Sequence, residues 1–333
     1  MTPPTNVISS TVGDPTPPAE WARQACVWTA WPHHVDWGDA LGEARAEVAA
    51  LVAFLSRHQP VRVLVRQRDR SAAAAALGDT ASLVTANYGD IWLRDTGPVF
   101  VGVGEARRAR RFAWNGWGGK YVYSGDGAVG DDLAREAGVP IDRCDWVLEG
   151  GAIDSNGAGT LLTTRECLLN PNRNPHMTEA DVEAALRRDL GARRVVWLDR
   201  GLRNDHTDGH VDTLARFVSP TTVACMTPAD DDPNRDALAA VEAALGRAGF
   251  DVAHVPSPGA VRDDSGELLP ASYVNFVIVN GAVAVPTYGV EADSAAVEAV
   301  AELFPDREVV GASARAILTG GGAFHCITRD QPA

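Results

Sequence analysis

Gly321-Gly322-Ala323-Phe324-His325-Cys326, close to the end of the chain, can be laid without a gap on Gly150-Gly151-Ala152-Ile153-Asp154-Ser155. A second pair of segments behaves alike: Val211-Asp212 lies on Val274-Asn275, each opening a predicted two-strand hairpin. Polar residues at predicted strand edges recur at Asp95, Asp154, Asp212 and Asn275, spaced 59, 58 and 63 residues apart. A period near 60 in a chain of 333 residues allows about five modules. Modules arranged radially bring corresponding edges to one axis. That arrangement predicts that Asp95, Asp212, Asn275 and Cys326 meet despite their separation in sequence.

The text between these points alternates strand and helix. Strands are predicted at 25–31, 61–65, 82–85, 146–149, 159–164, 195–198, 252–255, 273–279, 282–286 and 308–311, and a hairpin over 211–218 and 222–226. Residues 39–58 read as an amphipathic helix, with Leu41, Ala44, Val48, Leu51, Val52 and Leu55 on one face. Further helices are predicted at 71–77, 131–137, 178–190, 233–247 and 294–303. Thr178 caps its helix with a partner at Asp181, and Pro233 suits a first helical position. The fold class is therefore α/β, built from about five strand–helix repeats around a central site.

Composition places the chain among soluble globular enzymes, with 45% hydrophobic and 22% charged residues. Its formal net charge of −14 disfavours nucleic acid and anionic membranes as partners and favours cationic ligands. No stretch reads as a membrane span. The first 20 residues lack the basic start and apolar core of a secretory signal, and their Pro/Thr-rich text predicts a disordered or draped arm ahead of one domain over 21–332. Five scattered cysteines without a CxxC pair point away from disulfides and zinc ribbons, toward a reducing cytoplasm.

Four stretches carry the chemistry. They are Trp92-Leu93-Arg94-Asp95-Thr96-Gly97-Pro98, Leu148-Glu149-Gly150-Gly151, Asn204-Asp205-His206-Thr207-Asp208-Gly209-His210-Val211-Asp212, and the tail from Gly320 to Thr328. A thiol, a base and several carboxylates form the kit for covalent catalysis on a cationic carbon. Taken singly, each admits a plainer reading. Cys326 could be a buried inert thiol, and Asp95 beside Arg94 a structural ion pair. The aromatic loop from Trp114 to Tyr121 could be core or the wall of a site for a cation. His206, Asp208, His210 and Asp212 offer donors that suit divalent ions. A strand over this stretch, however, already places His210 and Asp212 on one face with no ion.

Together with Gly159–Thr164, Asn170-Pro171-Asn172-Arg173-Asn174-Pro175 and His210-Val211-Asp212, these strings resemble the agmatine deiminase family. That family is related to the bacterial-type peptidyl-arginine deiminases within the guanidino-group-modifying enzymes. The likeness runs from about Trp21 to Pro332. It implies a five-module, pseudo-fivefold α/β propeller of the pentein type, in agreement with the period. It further implies Cys326 as nucleophile, His210 as general acid/base, Asp95 and Asp212 as the carboxylates gripping a guanidinium, Glu149 as the acid orienting the histidine, and Asn275 as a supporting amide. The implied activity is hydrolysis of agmatine to N-carbamoylputrescine and ammonia, in polyamine synthesis, with no metal or organic cofactor. Many members read Gly-Asp-Glu-Asp-Thr-Asn-Gly-His before the Val-Asp, where this chain departs. Asp205, with Trp92 or Trp117 along the alkyl chain, is the residue expected to face the substrate's distal amine. An arginine or peptidyl-arginine deiminase is the enzymatic alternative, and a polyamine-binding module the non-enzymatic one, although binding alone needs no thiol. A homo-oligomer is compatible with all of these.

Overall fold

A computed structural model describes residues 16–333, so residues 1–15 of the expected arm lie outside the described residues. Among the described residues, sixteen strands fall into five small sheets. The first holds β1 (Gln24–Ala30), β2 (Val61–Val65) and β3 (Ser82–Thr85). The second holds β4 (Val99–Val101), β5 (Arg108–Ala113) and β6 (Ile141–Val147). The third holds β7 (Asp154–Ser155), β8 (Thr160–Thr164) and β9 (Arg194–Leu198). The fourth holds β10 (Ala215–Phe217), β11 (Thr222–Thr227) and β12 (Asp251–Pro256). The fifth holds β13 (Val277–Val279), β14 (Ala282–Thr287) and β15 (Glu308–Ser313).

Sheets two to five share one plan. A short strand runs antiparallel to the middle strand, and the third strand runs parallel to it. Parallel neighbours require a crossover. Helices α1 (Leu41–Leu55), α2 (Asp126–Glu136), α3 (Glu179–Leu190), α4 (Arg235–Arg247) and α5 (Asp293–Leu303) supply one per module. The first sheet is completed from the other end of the chain: β16 (Arg329–Pro332) pairs antiparallel with β1, so the last strand closes the ring of modules. Gln331 fastens this seam, its Oε1 accepting from Trp28 Nε1 at 3.0 Å and Cys26 Sγ at 3.2 Å.

Local chemistry explains the elements. Helix α1 buries the predicted face through Ala44, Val48, Leu51, Val52 and Leu55. Thr178 and Asp181 form a reciprocal capping box on α3, and Gly191 ends that helix at φ 60°, a conformation open to glycine. The middle strand β14 is buried along almost its whole length, as expected where helices cover a parallel pair.

Three strand expectations are corrected. Val211–Thr213 is a single 3₁₀ turn, with strand only at Ala215–Phe217. Of 273–279 only Val277–Val279 is strand, and β6 ends at Val147, before Glu149. The reason lies in where the backbone groups go. Around these segments N–H groups close local turns: Thr213 N and Leu214 N donate to His210 O (3.5 Å) and Val211 O (2.9 Å), Asn275 N to Ser272 O (3.4 Å), and Ala152 N to Glu149 O (3.1 Å). A backbone spent in this way cannot also pair in a ladder.

Candidate active site

The modules deliver their leading residues to one point. Cys326 Sγ lies 3.1 Å from Asn275 Nδ2 and 3.6 Å from Asp212 Oδ2. Asp95 and Cys326 line the same cleft. A methyl group built on Gly151 would meet His210 Nδ1 at 2.6 Å, Asp95 Oδ1 at 2.9 Å and Asp212 Oδ2 at 3.1 Å. Gly151 is thus the floor over which these three side chains converge. Gly322 plays the same part for the nucleophile. Its Cβ would lie 2.7 Å from Trp92 and 3.1 Å from Cys326 Sγ, so only glycine lets the thiol and the indole share this corner. The convergence of Asp95, Asp212, Asn275 and Cys326 expected from the period is therefore present, although His210 and Asp212 meet through a turn and not along one strand face.

The acids are fixed before any ligand arrives. Asp95 accepts from Trp117 Nε1 and Gly151 N, both at 2.9 Å. Burial pushes its carboxyl up, and those two hydrogen bonds oppose the push. Burial, then the neighbouring Asp95, holds Asp212 up to about 8. Burial and the same two carboxylates hold the Cys326 thiol well above the ordinary thiol range. Burial draws His210 down to about 4, leaving a neutral imidazole. A site that penalises this much negative charge is built to receive a cation.

Glu149 stands next to His210. Its Oε1 accepts from Arg173 Nε at 2.7 Å, while its Oε2 and His210 Nε2 have no partner among the described residues. Donor atoms of Glu149, Cys167 and His210 lie within 4.8 Å of one another. The quartet His206, Asp208, His210 and Asp212 does not gather. Asp208 turns to Lys120, Asn172 and Arg173, and His206 to Tyr121. Arg173, which ties Glu149 to this loop, was missed from sequence. Its string was legible but its charge had no visible partner.

The cleft above Cys326 is lined by Trp37, Trp92, Trp117, Tyr121, Tyr123 and His206, with Asp36 and Asp90 further along. Trp92 and Trp37 stack at 6.0 Å, and Asp90 takes an indole N–H from each, at 3.0 and 2.8 Å. The Trp114–Tyr121 loop therefore contributes a wall. Asp205 is the exception among the expected ligands. It does not line the cleft, because Oδ1 accepts from Thr207 N (2.8 Å) and Thr207 Oγ1 in a local turn. Such short-range bonds are what an Asp in a loop forms most readily. Asp36 and Asp90 take its place as the acids of the outer cleft, and nothing in their local sequence marked them.

The model of the Porphyromonas-type peptidyl-arginine deiminase family matches residues 16–332. The chain belongs to this family. Agmatine deiminase from Stutzerimonas stutzeri is 39% identical, with 95% of each chain covered. Among solved structures, agmatine deiminase of Enterococcus faecalis superposes with a TM-score of 0.91 at 30% identity, covering 98% of both chains. A cysteine-to-serine variant of agmatine deiminase from C. jejuni with substrate bound gives 0.89 at 29% identity, covering 96% of both. The five-module α/β ring is thus the fold of these family members. Among the described residues no helix is long and apolar enough to cross a membrane.

Proposed function

We propose that the chain is an agmatine deiminase, hydrolysing agmatine to N-carbamoylputrescine and ammonia through an amidino-cysteine intermediate. The observation that carries this reading is the cleft with its floor: a thiol beside Asp95 on the lining and Asp212 beneath it, aromatic walls, two further acids, and no Arg or Lys lining it among the described residues. Agmatine has a cation at each end and no carboxylate. The chain is read as one catalytic domain that acts on a small cationic guanidino substrate without a metal or organic cofactor. Its five free cysteines, all buried, suit a reducing cytoplasm.

Asp95 and Asp212 fork onto the guanidinium N–H groups and fix its plane. Cys326 is thereby placed to attack the central carbon, which is the proximity contribution. His210 takes the thiol proton and returns it to the departing nitrogen, so that ammonia leaves and a cationic amidino-thioester remains. Water then attacks, giving a proton to His210, and the adduct expels the thiolate to leave a urea. Glu149, held by Arg173, lies beside the imidazole and is the acid available to orient it, through its unpartnered Oε2. Asn275 steadies Cys326 through Nδ2. Trp92 and Trp117 border the alkyl chain, and Asp90 and Asp36 replace Asp205 as the acids nearest the distal amine.

Free arginine would set its carboxylate near those acids with no cationic partner, at a cost of several kcal/mol. Ammonia release should therefore give kcat/KM for agmatine roughly 10²-fold above that for free or peptide-bound arginine. A value for either arginine substrate equal to that for agmatine would overturn the assignment.

Agmatine affinity should also follow pH. Asp212, held up to about 8, keeps its proton at neutral pH, and the guanidinium must displace it. In Cys326→Ala, where turnover cannot interfere, affinity should climb between pH 6 and 8, by up to about tenfold per unit, and then level off. A flat profile over that range would show that Asp212 is already ionised.

A further inference from the structure

Behind Asp212 lies a group that the reaction above does not use. His325 is buried next to the nucleophile, with Nδ1 2.7 Å from Asp212 Oδ2 and Nε2 2.8 Å from Glu20 Oε2. An imidazole this close to a carboxylate on both sides needs a proton in each contact. If the ring is neutral it supplies one, and an acid supplies the other. Glu20 is the better acceptor. Its Oε2 receives Arg216 at 2.6 Å and Arg94 at 3.4 Å, and its Oε1 receives the N–H of Ile278 at 2.7 Å. The resting arrangement is then Asp212 O–H to Nδ1, and Nε2–H to Glu20.

On the far side of His325 from Asp212 there is a second cavity. Glu20, His325, Arg94, Asp154, Arg329 and Asp330 line it, and it shares no lining residue with the cleft of Cys326. Its volume, ≈40 Å³, is enough for a water molecule. Pro18, Ser155 and Asp330 on its lining are half-buried, so it runs out toward the surface of the described residues.

We propose that Asp212, His325 and Glu20 form a proton relay, which carries the proton displaced from Asp212 by the incoming guanidinium into this rear cavity. The proposal rests on the deiminase reading above. When the guanidinium docks, the Asp212 O–H bond breaks and an N–H bond forms at His325 Nδ1. The Nε2 proton passes to Glu20 Oε2 and from there to water in the cavity, and Nε2, now unprotonated, accepts from that water in place of Glu20. One proton leaves per cation bound, and no oxidant or cofactor takes part. The substrate itself fills the front cleft, so among the described residues the rear is the open way out. The groups facing His325 suit transfer and not storage. Burial, with Arg216, Arg94, Arg329 and His210 around the ring, holds the imidazole well below its usual range, while Asp212 and Glu20 are the two acids in contact with it. Asp154 and Asp330 are engaged by Arg216 and Arg94 respectively.

The test uses the full chain carrying Cys326→Ala, so that neither turnover nor the thiol releases protons. The protein is mixed with agmatine at pH 7 in weak buffer with an indicator dye, and binding is timed by tryptophan fluorescence. Proton release of up to one per site should keep pace with binding. Adding His325→Gln, which keeps hydrogen bonds to both sides but cannot titrate, should make release lag binding by roughly tenfold or more. Glu20→Gln, which removes the last acceptor from the other end, should do the same, and a role confined to packing would not separate the two signals. Release that keeps pace with binding in both double variants overturns the relay, as does agmatine binding with no proton released. If the unmutated chain turns over arginine and not agmatine, the substrate reading has failed instead. The mixing experiment is then run with arginine, whose guanidinium makes the same demand on Asp212.

Discussion

Replacing Cys326 with alanine is expected to abolish ammonia release from agmatine, with a loss on the order of 10⁴-fold or more, as for removal of a nucleophile in general. No other group can stand in for it. The remaining cysteines are all buried, and none of them lines the cleft. Alanine at this position keeps Cβ and loses only the sulfur that contacts Asn275 and Asp212. The fold should therefore survive, and thermal unfolding should give a transition close to that of the unmutated chain. Acid quench of the unmutated chain during turnover should leave an added amidino mass on the peptide containing Cys326. Measurable turnover in Cys326→Ala, or an adduct on another peptide, would remove the covalent route.

The second large effect belongs to His210. His210→Gln should lower kcat by roughly 10²–10⁴-fold, the range for losing a positioned proton carrier. His206→Gln should cost far less. The difference follows from position. His210 is buried at the floor with Asp95, Asp212 and Glu149, whereas His206 sits on the wall, 3.2 Å from the Tyr121 hydroxyl. Its loss should appear in KM before kcat, because a wall residue acts on binding. Equal losses in the two variants would mean that the proton carrier has been misassigned.

The ring was visible in sequence because each module repeats the same transition, from a polar residue at the axis to a hairpin. Asp95, Asp212, Asn275 and Cys326 stand at that transition, and their spacing survives in the linear text. The secondary structure around them was harder to read. Val211 and Tyr273 sit in apolar runs that look like strand, yet their backbone turns toward the axis before pairing begins. Periodicity reports burial, and here both turn and strand are buried.

The outer cleft was illegible for a different reason. Asp205 looked like a spare acid because a local turn leaves no trace in composition, while Asp36 and Asp90 acquire meaning only from the tryptophans and tyrosines brought over them. Glu20 is the extreme case. It closes the stretch read as an arm, yet its partners Arg94, Arg216, Ile278 and His325 lie 74, 196, 258 and 305 residues away. Nothing within a few residues of Glu20 could have predicted them.

The pairing of β16 with β1 bears on when the enzyme comes into being. That seam encloses nearly the whole chain as a loop. Loop entropy grows only with the logarithm of length, so the seam is thermodynamically inexpensive. Contacts so remote in sequence form slowly, however, because everything between them must first be in place. Cys326 lies just ahead of the closing strand, held by Asn275 of the fifth module and by Asp212 of the fourth. A nascent chain still lacking the tail from Gly320 onward can build the carboxylates and most of the walls, and remain without a nucleophile. Catalytic competence then arrives only with the tail that also completes the ring, so a polypeptide interrupted before Cys326 is inert.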